Sequence, residues 1–161
     1  MKQYDLKPVL MYKYASLQLN YVLHDQYKCM SDLPRIVGGK EVVAYFQDHY
    51  RPLSNAQEFF SIMLLSRHNR ILNVSTIGQG NKFMTIVDIS YLTALALLTG
   101  ATAIIICHNH PSGNNKPSED DKELTKKVKA ALSSFDIQLL DHIIITADDE
   151  CWYSMAAEGE I

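Results

Sequence analysis

Residues 103–121 read AIIICHNHPSGNNKPSEDD, and this stretch decides the fold. Ala103 to Cys107 is short, β-branched and wholly apolar, which is the composition of a strand buried on both faces at the centre of a sheet. That strand delivers His108 directly to the start of a polar loop containing glycine and proline. The loop ends at Ser118, which forms an S-x-x-D capping pair with Asp121 and so predicts a helix beginning there. Leu124, Val128, Ala131, Leu132 and Phe135 then recur at helical spacing as its inward stripe.

Strand material continues outward on both sides. Downstream, Leu139, Leu140 and Ile143 to Ile145 read as a strand, and the acidic turn Asp148, Asp149, Glu150 leads into a last short strand over Cys151 to Tyr153. Upstream, Asp88 caps a predicted helix running through Leu92, Leu95, Ala96 and Leu98 to Gly100. Before it, the apolar runs from Glu58 to Leu65 and from Ile71 to Ile77 flank the polar SRHNR and predict a hairpin. Gly78 and Gly80 end that pattern ahead of Phe83 to Val87. A further helix is expected after Gly38 and Gly39, through Val42, Tyr45, Phe46 and His49 to Tyr50, with Pro52 closing it. The alternation of Ala15, Leu17, Leu19, Tyr21 and Leu23 predicts an N-terminal strand, joined to the rest by the irregular HDQYKCMSDLP. The sum is an α/β (α+β) chain, a mixed β-sheet flanked by helices, with residues 1–30 as an N-terminal strand extension and 31–161 as one domain.

Composition narrows the function. The chain has 161 residues, 47% hydrophobic and 20% charged, enough for one domain with a real core. No apolar run approaches the roughly 20 residues that span a bilayer and no leader pattern opens the sequence, so a cytoplasmic protein without a membrane partner is expected. Cys29, Cys107 and Cys151 are too dispersed for a disulfide framework or a thiolate metal site. The net charge of -3 and the pI near 6.0 give no basic surplus, so DNA is a partner that the charge does not support. Lys122, Lys126 and Lys129 share one face of the predicted helix, which reads as a solvated face.

The chemistry concentrates in the loop. His108 and His110 are two apart, so in an extended segment both imidazoles leave the same face and converge on one ion. Asp121 sits in the first helical turn, where a carboxylate can face back toward them. Two imidazoles and a carboxylate with no thiolate leave a coordination position for water, the mark of a catalytic zinc rather than a closed structural one. Such a site needs a proton acceptor and an oxyanion donor, and Glu58 and Ser118 are the candidates. Helix capping alone would account for Ser118 and Asp121, and Asp120 is an acidic neighbour that reads as a solvated helix acid. Cys107 points away from the metal by strand alternation. His142 reads as a satisfied core histidine, with support of the site from behind as the alternative. His24, His49 and His68 have no partner spacing, and the literal His-Asn-His lacks the dispersed arrangement of HNH nucleases.

The pattern H-x-H, seven residues, S, two residues, D matches the JAMM (MPN+) metalloproteases at His108, His110, Ser118 and Asp121. The fuller HNHPSG, the PS ahead of the aspartate, the later LLDHIII and a closing Tyr-Ser resemble the RadC family over about residues 31–161. The resemblance implies an MPN/cytidine-deaminase-like three-layer sandwich with Zn(2+) held by His108, His110 and Asp121. It also implies Ser118 steadying the tetrahedral intermediate and Glu58, about fifty residues before His108, as general acid/base. The expected activity is that of a zinc-dependent peptidase or amidase acting on a peptide or protein, the hydroxide at the zinc attacking a carbonyl. The alternative is a non-enzymatic module tied to DNA repair or protein assembly. Residues 1–30 show nothing like the helix-hairpin-helix module common in RadC proteins, nor does the chain show the added segments that grip ubiquitin-like modifiers.

Overall fold

The computed structural model describes residues 7–13, 16–22, 29–50, 57–80 and 87–161. Two strands, β1 (Lys7–Lys13) and β2 (Ser16–Val22), pair antiparallel with Lys7 opposite Val22 and Lys13 opposite Ser16. The expected N-terminal strand is therefore β2, and β1 is a second strand that the period-two reading leaves out. A single 3-10 turn over Met30–Asp32 interrupts the connector.

A five-stranded mixed sheet forms the body. The strands are β3 (Phe59–Leu65), β4 (Ile71–Gln79), β5 (Ala103–Asn109), β6 (Gln138–Ile145) and β7 (Trp152–Ser154), in the spatial order β4-β3-β5-β6-β7. The apolar Ala103 to Cys107 run takes the middle position, and every residue of β5 is buried. β3 pairs with β4 and β5 antiparallel, whereas β5 and β6 are parallel and joined through helix α3 (Glu119–Ser133). A parallel neighbour demands such a crossover.

Alternation along the strands sorts the core into two layers. Phe60, Ile62 and Leu64 of β3, with Ile104 and Ile106 of β5, pack on one face beneath Leu92 and Ala96 of α2 (Ile89–Thr99) and Val128 and Leu132 of α3. Met63, Leu65, Ile105, Cys107, Ile143 and Ile145 pack on the other face against Val42, Val43 and Phe46 of α1 (Gly39–Tyr50). The result is a helix–sheet–helix sandwich, as expected.

The helix boundaries follow local chemistry. The Asp88 carboxylate accepts from the Ser90 and Tyr91 N–H groups, and Gly100, with φ 63°, closes α2 in the left-handed region. One expectation fails at the end of α3. The helix stops at Ser133 and Asp136 turns with φ 56°, so Phe135 leaves the apolar stripe and is 51% exposed. Among the described residues no helix is long and apolar enough to cross a membrane. Residues 83–86, ahead of Asp88, lie outside the described residues.

Candidate functional site

The site lies where β5 leaves the sheet. His108 is on the face covered by α2 and α3, 1% exposed, with Phe60 of β3 stacked on it at 6.2 Å between ring centroids. His110 follows two residues on, its N–H bonded to the Ile145 carbonyl, so the chain is still guided by β6 as it exits. The two rings meet with Nε2 to Nε2 at 2.8 Å. Asp121 reaches the same point from α3, with Oδ1 3.2 Å from His108 Nε2 and Oδ2 3.6 Å from His110 Nε2. Among the described residues these three form the cluster able to hold a metal ion.

The loop between them is held by bonds of its own. His110 Nδ1 lies 2.6 Å from the Asn114 carbonyl oxygen, which can only accept, so that nitrogen carries the ring hydrogen and Nε2 is left bare. Gly113, at φ 79°, makes the reversal that brings Asn114 back under the ring. Asn115 donates to the Trp152 carbonyl, and the Lys116 ammonium sits 4.6 Å above the Tyr153 ring.

Asp121 also carries the helix cap. Its Oδ2 accepts from both the N–H and the hydroxyl of Ser118 at 2.7 and 2.6 Å, while the Ser118 Oγ accepts from the Asp121 N–H at 3.1 Å. Oδ1 is left to face His108, whereas Oδ2 carries the cap and also faces His110. Burial alone would raise this carboxyl. Hydrogen bonds from His108 and His110 in their protonated forms, with that from Ser118, outweigh burial and hold it far below the usual carboxylate range. His110 is raised, because its bonds to Asp121 and Asn114 overcome the opposing effect of burial.

Glu58, half-buried just ahead of β3, lines one cleft of about 520 Å³ together with His110, Ser118, Asp120, Asp121 and Lys116. Its backbone is clamped from both sides by a residue that the sequence reading passes over. The Asn109 side chain accepts from the Phe59 N–H at 2.7 Å and donates to the Gln57 carbonyl at 2.9 Å. Strand alternation sends Asn109 to the face opposite its histidine neighbours, so the His-Asn-His triplet serves both halves of the cleft. Asp120 is exposed at the cleft rim, and Lys126 and Lys129 are exposed on α3.

His142 of β6 is completely buried and is both a satisfied core histidine and a neighbour of the site. Its Nε2 lies 2.7 Å from His108 Nδ1, and its Nδ1 lies 2.6 Å from Thr125 Oγ. Burial, then the adjacent His108, lower its pKa well below the ordinary imidazole range. Burial pushes the Cys107 thiol up, helped by Asp141, in keeping with an inert apolar role on the α1 face.

A three-layer sandwich that presents two histidines and an aspartate at the exit of its central strand has the architecture of JAB (MPN-type) domains. This chain belongs to the RadC-like JAB domain family, whose model matches residues 36–160. It is 37% identical over 127 residues to a UPF0758 protein of Flavobacterium johnsoniae, covering 79% of this chain and 54% of that one. It is 36% identical over 118 residues to a UPF0758 protein of Variovorax paradoxus, covering 73% and 51%. A UPF0758 protein of Trichlorobacter lovleyi aligns over 157 residues at 31% identity, covering 96% and 66%. The chain thus spans about half to two thirds of the length of these relatives.

Proposed function

We propose that the chain is a zinc-dependent hydrolase of the JAMM (MPN+) class that cleaves an amide bond in a peptide or protein. The observation that carries this reading is the convergence of three acceptor atoms. His110 Nε2, bare because its other nitrogen is committed to Asn114, faces His108 Nε2 and the Asp121 carboxylate within 3.6 Å. With both rings neutral such atoms repel one another unless a cation lies among them, and two imidazoles with one carboxylate are the donor set of an open zinc site. Zinc bound there would supply Lewis acidity, acidifying a water and polarising the carbonyl under attack.

The remaining steps belong to the chain. Glu58 shares the cleft with the three ligands, and its carboxylate takes the proton of the attacking water and returns it to the leaving nitrogen. Asn109 holds the backbone on both sides of Glu58, which limits how far that carboxylate can wander. The Ser118 hydroxyl now donates to Asp121, so rotation away from that bond is needed before it can donate to an oxyanion. Phe60, Val87 and Leu124 give the cleft an apolar wall, which suits a peptide side chain. The net charge of -3 favours a peptide or protein over a polyphosphate backbone.

A peptide-library cleavage screen on the zinc-loaded protein tests the proposal. Wild type should cut a subset of peptides, and Glu58→Gln should keep its zinc while turnover falls at least a hundredfold, about the low end of what a positioned general base contributes. Turnover unchanged in Glu58→Gln removes that residue from the chemistry. A zinc-loaded wild type that cuts no peptide rejects the peptidase reading.

A further inference from the structure

We infer that Thr125 and His142 form a relay that dictates which ring nitrogen of His108 faces the metal position, which makes both of them positioning residues. The inference rests on the metal reading above and names residues that reading does not use.

The direction of each bond follows from counting hydrogens. Thr125 Oγ has one hydrogen and three neighbours, the Asp121 carbonyl oxygen at 2.6 Å, His142 Nδ1 at 2.6 Å and, farther off and a weaker acceptor, Met155 Sδ at 3.6 Å. The carbonyl can only accept, so the hydroxyl hydrogen goes there, as usual for a threonine bonding back one helical turn. Toward His142 the threonine oxygen is then an acceptor, and Nδ1 must carry the hydrogen. His142 is fully buried with Thr125 and His108 as its two ring partners and so holds a single ring hydrogen, which leaves its Nε2 bare. At 2.7 Å that bare nitrogen can only accept from His108 Nδ1–H. The neutral ring of His108 is thereby left with a bare Nε2, the atom 3.2 Å from Asp121 Oδ1.

The opposite direction fails at both ends. A Thr125 hydroxyl donating to His142 would press its oxygen against the Asp121 carbonyl at 2.6 Å with no hydrogen between them. It would also place a hydrogen on His108 Nε2, where the ion must bind. The relay closes on itself, because Asp121 accepts from Thr125 through its backbone and faces His108 through its side chain. One turn of α3, strand β6 and strand β5 are thus locked together around one ligand. His110 receives the equivalent service from the Asn114 carbonyl, so both histidines are presented through Nε2 by separate devices.

Zinc dissociation constants from chelator competition test the relay, with circular dichroism and melting of the zinc-free proteins as folding controls. Thr125→Val keeps the shape and removes the hydroxyl, and His142→Leu removes the ring. Each should weaken zinc binding about 10- to 100-fold. The double variant should be no weaker than His142→Leu alone, because the relay is broken once. His142→Gln, whose amide can accept from His108 and donate to Thr125, should recover most of the affinity. Cobalt(II) in place of zinc should show altered absorption bands in Thr125→Val and near-normal bands in His142→Gln. Should His142→Leu not fold, Thr125→Val alone decides. Wild-type zinc affinity in a folded Thr125→Val overturns the relay, whereas a wild type that takes up no zinc overturns the metal reading beneath it.

Discussion

Asp121 and Asn109 each serve two neighbours, and the consequences can be separated by substitution. Asn109→Ala removes the partner of the Phe59 N–H and of the Gln57 carbonyl, both close to the buried edge of the cleft. It should lower stability by about 1–3 kcal/mol in urea titrations, the usual cost of stranding such a group, and reduce turnover more than it reduces zinc affinity. Equal loss of zinc and turnover would show that Asn109 acts on the ligands instead of Glu58. The His108, His110 and Asp121 cluster was legible in the sequence because its spacing is local, two residues at a strand exit and one in the first turn of the next helix. Asn109 and Thr125 were not, and His142 was legible only as an alternative to a core histidine, for a physical reason. Their contacts cross strands, and only the parallel register that sets Ile106 beside His142 brings that ring behind His108. Thr125 did leave a signal, since it stands four residues after Asp121 on the same helix face.

At the scale of the element, two helices start on the same chemistry with different duties. Asp88 caps α2 through the Ser90 and Tyr91 N–H groups, whereas Ser118 caps α3 and also orients the Asp121 carboxylate. Asp88→Ala and Ser118→Ala should each cost about 1 kcal/mol of stability in the zinc-free protein. Only Ser118→Ala should weaken zinc binding, by severalfold in chelator competition, and equal zinc affinities in the two variants would deny Ser118 any part in orienting Asp121. These helix starts were readable because a cap is a contact within four residues. The same locality leaves one strand out and misplaces one helix end. The period-two alternation begins only past Lys13, yet β1 forms ahead of it with Pro8 opposite Tyr21. The apolar stripe of α3 seemed to run on to Phe135, but spacing alone does not register the left-handed turn at Asp136 that ends it.

The whole molecule binds these parts through its two core layers. Every residue of β5 is buried between them, so His108 and the exit toward His110 are set by the packing of three helices and cannot drift independently. The sandwich was legible in advance because period-two and period-3.6 patterns fix which residues face inward, while the strand order depends on pairings between distant segments. An ion that binds only the folded arrangement adds to stability by mass action, about 2.7 kcal/mol when free zinc exceeds its dissociation constant a hundredfold. That gain should fade on acidification. The raised pKa of His110 in the metal-free protein means its proton competes with the ion from a higher pH than an ordinary histidine would. The most direct test of the account is the zinc bound per chain by the purified protein, measured near pH 7.5 beside Asp121→Ala. About one zinc per chain, lost in the variant, is the predicted result. A wild type without zinc, or an Asp121→Ala variant that keeps a full equivalent, would contradict it.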